Sequence, residues 1–305
     1  MSAQQRLVLR RGTVTAAEAV AGPEQQVRVD DHPAVADVAM VGTCEVGDDV
    51  VVNEQAVRLG LGSGGLDIVH VNLTRGLGGG GVEGAHVMKL NYTSLQHAVL
   101  PEDGEAASGP VGVFSLHGQL APMCWAIAQA RPGTRVGYVQ TAGGALPGGH
   151  SHVVRELHNR GLLHLHVTAG PCYGAVEAIT TIGGIARAAQ DCDVVLCGPG
   201  PGILGSSSRL GHGGMVALDS AHAALALGCD VVLCARMSES DPRERHQGVS
   251  HHTQTVLDLL LKPVTCVTDP ADPTAYLESG LPTRNMGRED PVFFGAAIAA
   301  GLALV

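Results

Sequence analysis

The hexapeptide CDVVLC occurs twice, at residues 192–197 and again at 229–234. Each copy is a strand-length run with nothing polar after its aspartate except the closing thiol. Such a run is apolar on both faces of a strand, which is expected where helices cover both sides of a parallel sheet. Between the copies lies MVALDSAHAALALG (215–228), a helix-length segment closed by glycine. The two copies therefore frame one βα unit.

The same alternation extends outward. VGVFSL (111–116), RVGYVQ (135–140), LLHLHVT (162–168) and PVTCVT (263–268) read as further strands. APMCWAIAQA (121–130), SHVVRELHNRG (151–161) and GAVEAITTIGGIARAAQ (174–190) read as helices, each ending near Gly or Pro. The expected fold class is α/β, a doubly wound parallel sheet of about six strands over residues 111–305. His164 and His166 interrupt one strand by alternating on one face, and they read as hydrogen-bonded core or edge histidines. PVFFGAAIAAGLALV (291–305) falls short of the ~20 residues that span a bilayer. It reads as a buried C-terminal helix with Asp290 as N-cap and Pro291 as first helical residue.

Residues 1–100 follow another grammar. LVLRRGTV, QQVRVDD, VADVAMVG, DDVVVNEQAV and LDIVHVNL are short Val-rich runs separated by turns. They predict a small β-barrel or sandwich domain. PEDGEAASGP (101–110) is acidic and unpatterned, and reads as an interdomain linker. GLGSGG (60–65) and GLGGGG (76–81) lack the strand-then-helix context of a dinucleotide fingerprint.

A net charge of −10 argues against nucleic acid and anionic membrane surfaces as partners. MSAQQRLVLRR at the start has no apolar core of a signal peptide. Eight cysteines without a CxxC pair read as reduced thiols of a cytoplasmic protein, and they exclude a zinc ribbon.

In an open parallel sheet, ligands bind outside the carboxyl ends of the strands. His117, His150, His152, His212, His246, His251 and His252 all fall in loops after strands or at helix starts. GPGPGILGSSSRLGHGG (198–214) follows the first CDVVLC. Its Gly198, Gly200 and Gly202 admit close backbone approach, and Ser206, Ser207, Ser208 and Arg209 can complete a phosphate or carboxylate site.

The densest polar passage, DPRERHQGVSHHT (241–253), follows the second copy. Asp241, Pro242 and Glu244 read as a capping box, with Ser250 as N-cap of the next helix. His251 and His252 then occupy a first helical turn, where the dipole disfavours a charged ring. Arg243 and Arg245 supply bidentate anion donors.

LGLGSGG (59–65), HVMKLNYTSLQ (86–96), YVQTAGGALP (138–147), GPGPGILGSSSRLG (198–211) and DPRERHQGVSHHT occur in this order. Together they resemble a bacterial family of unknown function, DUF3866. The resemblance covers most of the chain and implies no reaction.

Three functions remain open from the residues. The first is an enzyme acting on a small anionic molecule. Arg209, Arg243 and Arg245 would clamp it, His246, His251 or His252 would move protons, and Asp241 or Glu239 would orient the base. Cys172 is the best thiol nucleophile within this reading. The second is a metal-dependent hydrolase or lyase with ligands among His117, His150, His152, His212, His251 and His252. The third is a non-catalytic metabolite-binding or assembly protein, a homo-oligomer using the N-terminal β domain and the small residues Gly295, Ala296, Ala299 and Ala300. No cofactor is identified.

Overall fold

The structure is a computed structural model that describes residues 6–61, 63–206 and 208–305. The chain divides into two compact units, Met1–Leu100 and Pro101–Val305.

In the first unit five strands close into a barrel. They are β1 (Leu9–Ala17), β2 (Glu24–Val29), β3 (His32–Asp37), β4 (Asp49–Asn53) and β5 (Asp67–Asn72), in the order β1-β2-β3-β5-β4. Only β3 and β5 run parallel. The β2–β3 hairpin turns on Asp30 and Asp31, both at positive φ, as a two-residue hairpin requires. The interior is filled by Val14, Val27, Val29, Ala34, Ala36, Val50, Val52 and Val69. Small β-branched side chains suit so narrow a lumen, and alternation along β4 sends Val50 and Val52 inward. VADVAMVG, expected as one strand, changes course at Asp37. That side chain accepts the Ala39 N–H and opens a helical turn, α1 (Val38–Val41). A second turn, α2 (Gln55–Arg58), and a hairpin of β6 (Val87–Lys89) with β7 (His97–Val99) complete the unit.

The second unit is a seven-stranded, wholly parallel sheet. Its strands are β8 (Pro110–Val113), β9 (Val136–Thr141), β10 (Leu165–Ala169), β11 (Val176–Ala178), β12 (Val194–Pro199), β13 (Asp230–Cys234) and β16 (Thr265–Val267). The order is β11-β10-β9-β12-β8-β13-β16. Between β13 and β16 lie two short strands outside this sheet, β14 (Met237–Ser238) and β15 (Gly248–Val249). Helices α3 (Leu120–Ala130), α4 (His152–Asn159) and α9 (Pro291–Leu302) pack on one face. Helices α5 (Thr181–Asp191), α6 (Val216–Ala226) and α7 (His251–Leu259) pack on the other. A turn, α8 (Thr274–Leu277), precedes α9. The sheet is doubly wound.

The two copies of CDVVLC flank β8 on either side, but one residue out of register with each other. Val111 pairs with Val195 of the first copy and Val231 of the second. A one-residue slip turns every side chain to the opposite face. Leu196 therefore packs under α3 and α9, and Leu233 packs under the other layer. Identical sequence serves both faces because it is apolar on both.

Three expectations change. β11 belongs to a segment read as helix. Thr180 accepts the Gly183 N–H and starts α5 only after Ala178 has paired with Ala169. Residues 101–104 are not a free tether: Glu102 N–H donates to Glu177 O, Gly104 N–H to Gly183 O, and Asp103 accepts from Ile179 N–H. The small residues of α9 are buried inside the unit, where a Cβ on Gly301 would lie 2.8 Å from Met123 O of α3. Asp290 accepts the Phe293 N–H as N-cap of α9, with Pro291 next. No helix among the described residues is long and apolar enough to cross a membrane.

The connections after β9 and β12 leave toward opposite faces, so the crevice between these strands is a topological switch point. Here it is filled by the protein's own backbone. A Cβ on Gly144 would lie 2.3 Å from Gly200 O, and one on Gly213 would lie 2.0 Å from Gly143 O. Leu204 N–H donates to Gly143 O, and Ala145 N–H to Pro201 O. Gly144→Ala and Gly213→Ala are each expected to cost about 1–3 kcal/mol by overpacking. Gly79→Ala, with nothing within 4 Å, is the control. Urea denaturation of the three variants checks this, and equal midpoints would refute the close packing.

Candidate functional site

The polar segment 235–253 is shaped by its two ends. Met237 and Ser238 of β14 pair antiparallel with Val249 and Gly248 of β15, which closes the intervening loop on itself. Ser250 then caps α7 by accepting the His252 N–H. The capping box expected at Asp241 does not form. The short 3₁₀ turn spans Glu244–His246, with Arg243 at its N-cap. Asp241 is claimed instead by cations. Its carboxylate accepts from Arg243 Nε at 2.9 Å and Nη2 at 2.8 Å, Arg288 Nη2 at 3.1 Å and Arg236 Nη2 at 3.4 Å. It also accepts the Arg243 backbone N–H at 3.0 Å.

Charge-assisted bonds of this kind outweigh a neutral cap. Asp241 is 2% exposed and Arg236 4%. The Arg243 hydrogen bond holds the Asp241 carboxyl well below the usual carboxylate range, against burial. Burial lowers Arg236 to about 10 despite Asp241. Arg288, from the turn before α9, gave no signal in the sequence. It comes from a tight turn in which Met286 takes positive φ and Asn285 bridges to Arg288.

Beside this carboxylate four imidazoles converge. His246 lies 4.9 Å from both His251 and His252, ring centre to ring centre. His251 and His252 are 4.3 Å apart, and His212 stacks on His252 at 3.5 Å and 9°. His246 Nδ1 is 2.7 Å from Ser250 Oγ, and His252 Nδ1 accepts from Arg236 Nη1 at 2.9 Å. Among the described residues, His251 Nε2 and both ring nitrogens of His212 are buried with no well-formed hydrogen bond.

All four rings are held neutral. Burial, then Arg236, pushes His246 down to about 3 and His252 to about 2. Burial followed by Arg245 lowers His251, and burial followed by His251 lowers His212. The cause differs from the helix dipole expected for His251 and His252: it is desolvation beside fixed guanidinium charge.

Arg209 reaches this group from the preceding loop. It donates to Asp258 at 2.9 Å and Thr255 at 3.3 Å, both on α7. With Arg245, His251, Gln254, Thr255 and Asp258 it lines an open cavity of about 370 Å³. Three residues singled out from two loops thus share one wall.

The rest of the Gly-rich loop is internally engaged. Ser206 Oγ and Ser208 Oγ bond each other, and Ser208 Oγ accepts the Gly211 N–H. Ser207 lies outside the described residues. A Cβ on Gly198 would meet the Phe114 ring at 2.4 Å, one on Gly200 would meet Ala145 O at 2.5 Å, and Gly202 turns at positive φ. These glycines serve packing and turning.

The wider histidine set does not assemble. His117 is buried between Pro199 O and Ser151 Oγ, which lies 2.7 Å from Nε2, and burial lowers it to about 4. His152 faces Arg155 on α4, and His150 stands beside it on the opposite side of the sheet from α7. His166 stacks on Tyr138 and bonds Gln140, while His164 precedes the strand. Cys172 is fully buried.

Asp241→Asn removes the one anion shared by Arg236, Arg243 and Arg288. An expected loss of about 3 kcal/mol in urea denaturation reflects uncompensated buried charge, at the low end because Arg243 and Arg288 stay partly exposed. Acid gives a second check. Rings with lowered folded values take up protons on unfolding below their ordinary 6.5. Stability is therefore full above that pH and falls as pH drops from 6.5 toward 3, by up to about 1.4 kcal/mol per unit per ring. In His246→Gln/His252→Gln the slope of stability against pH should flatten; an unchanged slope would place the titrating groups elsewhere.

No curated protein and no solved structure matches the chain. A family model described as protein of unknown function (DUF3866) matches residues 33–279. It takes in the barrel from β3 onward and every strand of the parallel sheet. The chain belongs to the DUF3866 family of proteins of unknown function.

Proposed function

We propose that this protein is an enzyme that binds a small phosphate- or carboxylate-bearing molecule at the carboxyl edge of its parallel sheet. The observation that carries the reading is the convergence of Arg209, Arg245 and His251 on one cavity. Behind that wall, Arg236, Arg243 and Arg288 share the single carboxylate of Asp241. Three guanidiniums thus meet one carboxylate here, in a chain whose total charge is −10. Asp258 holds Arg209 against α7, so the guanidinium is positioned before a ligand arrives.

His251 supplies the chemistry. It lines the cavity, its ring is neutral at physiological pH, and its Nε2 has no partner among the described residues. A neutral imidazole beside bound anion is placed to accept a proton from the ligand or from water. None of the eight cysteines forms a disulfide, which fits a reducing, cytoplasmic setting.

A thermal-shift screen of phosphorylated and carboxylated metabolites, followed by calorimetry on the hits, tests the reading. At least one compound should raise the melting temperature. Arg245→Gln and Arg209→Gln should each weaken it about 10-fold or more, the scale of one charge-assisted hydrogen bond. Affinity unchanged in both variants would overturn the anion site. Turnover of the bound compound, lost in His251→Gln with binding retained, separates an enzyme from a passive receptor.

A further inference from the structure

We propose that His246, His251 and His252 form a binding site for a divalent transition metal of the zinc class, next to the anion cavity and sharing His251 with it. The three rings each offer one ligand atom, and these atoms lie within 4.8 Å of one another. Nitrogens bonded to a tetrahedral zinc at ~2.1 Å stand ~3.4 Å apart. Closure by up to about 1.4 Å, within reach of side-chain rotation, assembles the site.

Three further observations converge on it. His251 Nε2 is buried with no hydrogen-bond partner among the described residues, which costs about 1–3 kcal/mol unless something else satisfies it. His246 has a partner of the kind that supports a ligand: Ser250 Oγ lies 2.7 Å from Nδ1, and in the tautomer with its proton on Nδ1 the hydroxyl accepts it and the Nε2 lone pair is presented to a metal. The scaffold is stiff, since His246 ends a 3₁₀ turn inside the β14–β15 clamp and the other two open α7. His212, stacked on His252, adds a fourth ring to the wall.

The arginines set a condition. Arg236 Nη1 faces His252 Nδ1, and a guanidinium only donates, so the neutral ring carries its proton on Nε2. Ligation at Nε2 therefore requires the ring proton to pass through solvent to Nδ1, so the ring stays neutral, and Arg236 Nη1 to withdraw while Nη2 keeps its bond to Asp241. With three protein ligands, the fourth coordination position stays open to water or to an oxygen of the anion, and a metal-bound water would then take the proton-accepting role that His251 has in the metal-free site.

The test uses the full chain, without a His-tag and treated with chelator. Zn²⁺ alone is titrated calorimetrically in phosphate-free buffer, and Co²⁺ alone is followed by its visible absorption. One ion per chain is expected, with the intense bands of tetrahedral cobalt lacking a thiolate charge-transfer feature. His246→Ala and His251→Ala should each weaken binding at least 10-fold, and His152→Ala should leave it unchanged. Absence of stoichiometric binding to the native chain overturns the proposal without recourse to variants, as does equal affinity in all three variants. Anion binding measured in excess chelator stands apart from this result: its persistence without metal leaves the cavity reading intact whichever way the titration falls.

Discussion

The Asp241 carboxylate organises the whole carboxyl edge. It is the common acceptor for a guanidinium just past β13, one within the polar loop and one from the turn before α9. No hydrophobic contact could tie these three segments at one point, because each arrives carrying charge. One buried anion among three cations is stable only while all the bonds are made, and this makes the arrangement specific rather than merely sticky. Ser238 extends it. Its backbone belongs to β14, its hydroxyl binds Asp290, and Asp290 caps α9. The loop that carries His246 is thereby anchored to the helix that closes the opposite face of the sheet.

The sheet supplies the platform by an economy of its own. Its strands are apolar on both sides, so they specify burial without specifying which residue faces which layer. CDVVLC shows the consequence, since the same letters present Leu196 to one core and Leu233 to the other. Register is set instead by what β8 and the covering helices demand. Gly112 is central to this, because a Cβ there would lie 2.7 Å from Leu196 and 2.8 Å from both Leu304 and Met123.

Much of this was legible in the sequence where a local rule governs. The parallel sheet follows from continuous apolar runs, and the caps at Ser250 and Asp290 from their position before helical patterns. What escaped was set over distance. Val176–Ala178 is too short to register as a strand, and it is one only because Val167–Ala169 offers an edge. Asp241 satisfies every local criterion for a cap, yet ion pairs to Arg236 and Arg288 are worth more than a first-turn N–H. Arg288 sits in NMGRED, which carries no pattern at all. The histidines were visible as a list, but the parallel stacking of His212 on His252 depends on how two loops after β12 and β13 fold toward one another.

The placement of the site follows from a conflict between topology and packing. The crevice between β9 and β12 is a place where a doubly wound sheet ordinarily receives a ligand, and Gly143, Gly144, Gly200 and Gly213 have closed it with backbone. The proposed site lies instead among the loops that follow β12 and β13, where α7 supplies the wall. There the arginines do two things at once. On the proposed reading they attract an anion, and by the same field they add to the burial that keeps the imidazoles neutral. The two effects are linked. An anion settling on Arg245 cancels part of the field acting on His251, so the ring's proton affinity rises while the ligand is in place. By reciprocity a protonated His251 holds the anion more tightly. On the proposed reading the base strengthens only while its ligand is bound and needs no conformational switch, because fixed guanidinium charge beside a buried neutral ring is sufficient to produce the effect.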